Sequence, residues 1–150
     1  MDYKDQKGAV MIEFAFLAPL LFLILFGIVE ISLLFYNKAV ITNASREGAR
    51  AGIVFSETRL TDDEIEAVVK NYAEAHLITF DLAKPGPVLD PKPAWDDIDS
   101  NGDRDSGEPL TVTVKYDYTF LVFHGIIKLL GNDSWANSIT LNAVTVMRYE

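Results

Sequence analysis

The chain contains no cysteine, which excludes disulfide bonds, thiolate metal sites and cysteine nucleophiles. Basic residues are also few, since 13 Lys and Arg stand against 22 Asp and Glu and the formal net charge is −9. Nucleic-acid binding requires clustered Lys and Arg, so this composition argues against it. The sequence has no glycine-rich phosphate loop, H-E-x-x-H motif or nucleophile elbow, and we therefore expect no enzymatic activity.

The apolar residues are concentrated near the N-terminus. Phe14–Val29 is a run of sixteen uncharged residues, bounded by Glu13 and Glu30. A helix of about 20 apolar residues spans a bilayer core of about 30 Å, so we expect a membrane span from about Phe14 to Tyr36. The run is too long for the apolar region of a cleaved secretory signal. Pro19 inside the span predicts a kink or a local opening of the helix.

Glu13 requires an explanation, because an ionisable group in an apolar helix costs on the order of several kcal/mol and is usually functional. The simplest alternative is that its side chain merely reaches the headgroup region. A short polar leader ends in Gly8, five residues upstream. This arrangement resembles the processing site of type IV prepilins, in particular those of the tight-adherence (Flp, type IVc) branch. Phe14 stands where the major pilins of that branch usually have Tyr.

The resemblance implies that a membrane prepilin peptidase cleaves between Gly8 and Ala9, on the cytoplasmic side. Cleavage would leave a new α-amine on Ala9, and Glu13 of a neighbouring subunit would neutralise it as helices stack in a filament. Buried ion pairs add little net stability but can set register. An unpaired Glu13 would be unfavourable, so the pair would favour docking of a subunit in the correct register. Phe14 and Pro19 would belong to the same assembly helix.

A ridge of small residues follows the span. Ala44, Gly48 and Gly52 are four residues apart, so they share one face of a helix. In lipid such a ridge would favour helix dimerisation. Because it lies beyond the span, we expect it to pack against the protein's own sheet.

The stretch 42–50 is similar to the A-A-R-E-G-A-R signature of TadE-like proteins, the minor pilins (pseudopilins) of the tight-adherence system. The similarity is carried by Arg46, Glu47, Gly48 and Arg50. The segment Ala143–Arg148 resembles the final strand of that family. The resemblance implies a structural subunit of the inner (cytoplasmic) membrane, with its N-terminus in the cytoplasm, that later enters an extracellular pilus. Its implied partners are other pilin subunits, the prepilin peptidase, the pilus assembly platform and the membrane.

The remainder of the chain has the pattern of a small α+β head. Thr61 and Glu64 form a predicted capping box, and apolar residues then recur at helical spacing as far as about His76. Alternation predicts a half-buried strand from Thr111 to Phe120. Further strand candidates are Ile78–Leu82 and Ser138–Tyr149, whereas the proline-rich stretch 85–93 predicts a loop. The apolar segment 121–130 fits either a loop or a short helix near the membrane.

These elements together predict an α+β fold with a long N-terminal transmembrane and stalk helix, a short helix and an antiparallel sheet of about three strands. The expected divisions are a leader peptide at 1–8, the hydrophobic helix with its amphipathic extension at 9–54, and a periplasmic or extracellular head at 55–150.

An acidic loop at 97–108 has the spacing of an EF-hand calcium loop, with Gly102 at the position of the sharp turn. Arg104 replaces the usual apolar residue, and prolines rather than helices flank the loop. We therefore predict an isolated calcium loop, the alternative being a solvated acidic loop that binds nothing. The candidate calcium ligands are Asp97, Asp99, Asn101, Asp103, Asp105 and Glu108.

Two rival functions remain open at the level of sequence. One is a membrane-anchored calcium-binding envelope module that never enters a filament. The other is a membrane-anchored enzyme, which would need a pocket of converging polar groups that the sequence does not reveal. The N-terminus of the mature protein distinguishes the first rival from a pilin.

Overall fold

The computed structural model of the chain describes residues 3–55, 59–79, 89–123, 125 and 138–150. The strands form one antiparallel sheet in the order β1-β2-β3. Together with the two helices this confirms the predicted α+β fold. The elements are α1 (Tyr3–Ile53), α2 (Asp62–His76), β1 (Leu89–Trp95), β2 (Pro109–Thr119) and β3 (Ser138–Arg148).

The long helix α1 has two parts with different surroundings. Its N-terminal part is exposed, and the segment Val10–Ile53 includes an 18-residue window of mean hydropathy 2.6 that is 0% buried. A core helix of a soluble domain would be covered, so this part fits a single-pass membrane anchor. Its C-terminal part is covered by the head along one face. Glu30 is buried on that face, and from Asn37 onward buried residues recur there every three or four positions, namely at Asn37, Ile41, Ala44, Gly48 and Gly52.

The short helix α2 begins where its capping box predicts. The Thr61 hydroxyl accepts the Glu64 amide at 3.3 Å, and the Glu64 carboxylate accepts the Thr61 amide at 2.8 Å. This reciprocal pair satisfies two amides that the first turn of a helix leaves free. Ile65, Val69 and Ala73 are fully buried, and they place α2 beside α1 on the same face of the sheet.

The central strand β2 confirms the predicted alternation. Val112, Val114, Tyr116 and Tyr118 lie on the buried face, and none of them is more than 3% exposed. Strand β3 pairs with β2 along its whole length, from Pro109 opposite Arg148 to Thr119 opposite Ser138. The core therefore lies between this face of the sheet and the two helices.

The prediction of a loop at the prolines was wrong for Pro91 and Pro93, because both lie in strand β1. They are tolerated because β1 is an edge strand within the described part of the chain, and residues two apart direct their nitrogens to the same side. The absent amide hydrogens can therefore both face the free edge, while the strand still pairs with β2. Of the strand candidate at 78–82, Ile78 is not in a strand, and residues 80–82 lie outside the described residues, as do 85–88 and most of 121–130.

The small-residue ridge packs mainly against α2, so the prediction that it meets the sheet was only partly right. A β carbon added at Gly48 would lie 2.4 Å from Val69 Cγ2, on α2. At Gly52 it would lie 2.5 Å from Leu110 Cδ2 on β2 and 2.8 Å from Ile65 Cδ1 on α2. Gly52 therefore lies where α1, α2 and the sheet meet.

Candidate functional site

The expected processing and assembly residues lie on the exposed part of α1. Gly8 and Ala9 lie within the helix, which begins at Tyr3 and continues through Pro19. Gly8 is exposed, and a β carbon added there would meet no atom within 4 Å. Glu13 is also exposed, and the described side chains give it no partner. Phe14 exposes 64% of its surface beside it.

Among the acids of α1 whose side chains the structure describes, Glu30 accepts the most hydrogen bonds. The sequence alone indicates no role for it beyond its position near the outer end of the span. It is 1% exposed, although it lies in an apolar helix. Its carboxylate accepts the Tyr118 hydroxyl at 2.7 Å, the Leu121 amide at 2.9 Å and the Val122 amide at 2.7 Å. The end of β2 and the loop after it thus direct several donors at one carboxylate of α1. The signal in the sequence was a second acid among apolar residues.

Tyr118 is matched to this role. Its ring is 1% exposed at the end of β2, and burial together with the Glu30 carboxylate raises the pKa of its hydroxyl above the ordinary value. The hydroxyl therefore stays protonated and donates to Glu30 across the physiological range of pH. This contact connects α1 to the head over 88 residues of sequence.

The residues of the R-E-G-A-R motif divide between the two sides of α1. Gly48 faces Val69 and is buried, so its role is close packing. Arg46 is exposed, and Arg50 forms a bidentate ion pair with Glu47 in which Nη2 lies 2.7 Å from Oε1 and Nε 3.1 Å from Oε2. Exposed pairs of this kind contribute little stability, so the charged half of the motif adds little to the packing of the head.

The acidic loop wraps its backbone around Asp97. The Asp97 carboxylate accepts the amides of Ser100 at 2.6 Å, Asn101 at 3.3 Å and Gly102 at 2.9 Å. Burial raises the pKa of the Asp97 carboxyl, but these amides outweigh it, and its pKa is lowered. Gly102 has φ +85°, a backbone conformation that residues with a side chain rarely adopt. The sharp turn therefore requires a glycine there.

Glu108 closes the loop from its other end. It is 4% exposed and accepts the Ile98 amide at 2.7 Å and the Asp105 amide at 3.1 Å. The carboxylates of Asp97, Asp99 and Glu108 offer oxygens that lie within 4.8 Å of one another. Asp103 and Asp105 are outside that group of three, and the Asn101 side-chain amide donates to both Asp99 and Asp105.

Arg104 holds the acidic loop against the rest of the head. Its guanidinium donates to the Leu60 carbonyl at 2.6 Å and pairs with the Asp62 carboxylate at 2.6 Å. The same group lies 5.6 Å from the centre of the Trp95 ring. Arg104, which departs from the EF-hand pattern, therefore connects the loop to the start of α2. The carboxylate oxygens of Asp97, Asp99 and Glu108 are of the kind that calcium prefers, because a hard cation is bound by several carboxylate and carbonyl oxygens.

Comparison with known proteins finds a similarity for the N-terminal part of the chain. Residues 8–50 match the family model described as TadE-like protein. The match includes Gly8, the apolar run and the R-E-G-A-R motif, and it ends before the head, so the similarity of Ala143–Arg148 lies outside it. Neither the curated proteins nor the solved structures contain a significant match. The matched segment comprises 43 of the 150 residues, so the similarity to TadE-like proteins holds for the N-terminal part of the chain.

Proposed function

We propose that this chain, with its TadE-like segment, is a minor pilin of a type IVc tight-adherence pilus that is cleaved after Gly8 and assembled through α1. The observation that carries the proposal is the family match of residues 8–50. The exposed apolar half of α1 supports it, because a surface of this kind must be covered by lipid or by other helices. The subunit begins in the inner membrane with its N-terminus in the cytoplasm and ends in an extracellular filament.

The geometry around Gly8 suits proteolysis. A glycine in a helix costs about 1 kcal/mol relative to alanine, so the helix opens more easily at this point. Gly8 is exposed, and a β carbon added there would lie more than 4 Å from the other parts of the chain that the structure describes. After cleavage, the new amine of Ala9 is a cation at the membrane edge. Glu13, which has no partner among the described side chains, is the carboxylate that a neighbouring subunit offers to that amine.

Processing can be tested on the intact chain. We expect co-expression with a tight-adherence prepilin peptidase to yield a mature protein that begins at Ala9, as determined by intact-mass and N-terminal peptide mass spectrometry. A Gly8→Leu variant is expected to stay uncut, because the added side chain occupies the position before the scissile bond. Gly8→Ala, which adds one methyl group, is the matched control and should retain partial cleavage.

Glu13→Gln separates processing from assembly. We expect it to be cleaved like the unsubstituted chain but to be absent from sheared filaments, since a neutral amide leaves the Ala9 amine without a counter-charge. Retention of Met1 in cells with an active peptidase would overturn the pilin proposal. It would favour the alternative of an anchored calcium-binding envelope module, which the acidic loop supports independently.

The acidic loop is proposed to bind one calcium ion. Asp97, Asp99 and Glu108 would supply carboxylate oxygens, Asn101 and Asp105 would complete the side-chain donors, and Asp103 stands where EF-hand loops use a backbone carbonyl. The amides that now converge on Asp97 and Glu108 hold both end residues in place. The ion would offset the repulsion among these acids and add rigidity to the loop.

Calcium binding can be measured by calorimetric titration of the full chain in detergent micelles. We expect one site with a dissociation constant on the order of 10⁻⁴ M or tighter, within the range of extracellular calcium modules. The double variant Asp97→Ala/Glu108→Ala should give no binding heat. Asp117→Asn, which removes an exposed carboxylate outside the loop, is the matched control and should titrate normally. Equal heats from the double variant and the unsubstituted chain would exclude the site.

A further inference from the structure

The loop that follows β2 is held at a fixed position along α1. The amides of Leu121 and Val122 donate to the Glu30 carboxylate. The Phe123 ring packs over Gly27, where an added β carbon would lie 3.6 Å from its Cζ atom. The loop Phe120–Phe123 therefore lies beside the turn of α1 that contains Gly27 and Glu30.

That turn lies inside the expected membrane span. With Phe14 at the inner edge of a core of about 30 Å, the outer edge falls near Leu34. Glu30 then lies about 6 Å below the outer edge, and a tilted helix would place it deeper. A loop fixed beside Gly27 and Glu30 must therefore enter the outer part of the bilayer core.

Shifting α1 outward, so that the head clears the membrane, is unfavourable. It would draw Glu13 into the apolar core, and the described side chains offer Glu13 no partner. Glu30, in contrast, has three donors and can remain within lipid at low cost. The acid that is already hydrogen-bonded is therefore the one that the geometry places in the membrane.

The chemistry of the loop agrees with this position. The sequence from Tyr118 to Phe123 has no charged residue. Phe120 forms edge-to-face contacts with the Tyr118 and Phe123 rings, at centroid distances of 5.7 and 6.3 Å. Leu121 exposes 43% of its surface next to the exposed apolar residues of α1. Exposed apolar side chains of the loop and of the span therefore lie on neighbouring parts of the molecule.

We propose that the loop Phe120–Phe123 is a second membrane-contacting surface, which inserts into the outer leaflet beside α1 and contacts phospholipid acyl chains. The inference rests on the proposed membrane span of α1. Lipid is favoured over a protein partner because the loop adjoins the part of α1 that is proposed to lie in the bilayer before assembly. Insertion of the loop makes the head a peripheral membrane domain rather than one held above the bilayer by a free stalk.

The test uses single nitroxide labels in the full chain, reconstituted into vesicles of phosphatidylcholine and phosphatidylglycerol. Because the chain lacks cysteine, Leu121→Cys can be labelled without other changes. Phe22→Cys, in the span, and Val144→Cys, on the exposed face of β3, are the controls. Collision of each label with oxygen, which enters lipid, and with a water-soluble nickel chelate reports its depth.

We expect the label at Leu121 to be accessible to oxygen, protected from nickel, and located about 5–10 Å below the headgroup phosphates. Nickel accessibility equal to that at Val144 would overturn the insertion of the loop. Protection from both reagents would overturn it too, because the loop would then be covered by protein. If the label at Phe22 is open to nickel, the membrane span itself is wrong, and the two failures are thereby distinguished.

Discussion

Substitution of Glu30 by alanine is expected to detach the loop after β2 from α1 and to lower the free energy of unfolding of the head by about 3 to 5 kcal/mol. The variant leaves the Tyr118 hydroxyl and the amides of Leu121 and Val122 without their acceptor. Each buried donor left unsatisfied costs about 1–3 kcal/mol, and these costs do not add fully. For a head of about 100 residues, the melting temperature should fall by about 15 °C or more.

Thermal unfolding of the full chain in micelles, followed by Trp fluorescence and near-ultraviolet circular dichroism, measures this effect. The melting temperature of Glu30→Gln should lie between those of the unsubstituted chain and Glu30→Ala. One oxygen remains as an acceptor, but the amide group of the new side chain then faces a backbone N–H. Glu47→Gln is the matched control on the same helix, because its partner Arg50 is exposed and little stability is expected from that pair. A Glu30→Ala melting curve that overlays the Glu47→Gln curve would show that the head is held by other contacts.

The parts of the fold that local rules determine were predictable from sequence. The capping box of Thr61 and Glu64 gave the start of α2, and the alternation at Val112 and Val114 gave the buried face of β2, because each signal lies within a few consecutive residues. Strand β1 was not predictable. Whether Pro91 and Pro93 can belong to a strand depends on the sheet having a free edge there, and that is a property of the tertiary arrangement.

The candidate sites show the same division. The acidic loop was identified from spacing because all the candidate calcium ligands fall within twelve consecutive positions, and the structure brings Asp97, Asp99 and Glu108 together. Glu13 was identified because it is an acid at the start of an apolar helix, five residues after the glycine of the expected processing site. The bonds of Glu30 were not predictable, since its donors lie about 90 residues away along the chain. A single sequence carries no signal for such a pairing beyond the cost of an acid in an apolar helix.

Gly52→Leu is expected to disrupt the junction of α1, α2 and the sheet. An added β carbon would lie 2.5 Å from Leu110 and 2.8 Å from Ile65, and both neighbours are fully buried. Because they belong to different elements, neither can move aside without disturbing the other. Overpacking a dense core costs about 1–3 kcal/mol, and the bulk of leucine places this variant at the upper end. The higher helix propensity of leucine recovers less than about 1 kcal/mol.

The same unfolding assay measures the effect, and the steric cause can be separated from a general effect on the helix. Gly125→Ala is the control for the loss of a glycine, because a β carbon there meets no atom of the described residues within 4 Å. It should leave the melting temperature unchanged, whereas Gly52→Ala should lower it. Leu110→Ala alone should cost about 2–5 kcal/mol through the cavity it leaves. In the double variant Gly52→Leu/Leu110→Ala the new side chain can fill that cavity, so the loss should be smaller than the sum of the two single losses. Strict additivity would mean that the contact at Gly52 is not what limits the approach of α1 to the sheet.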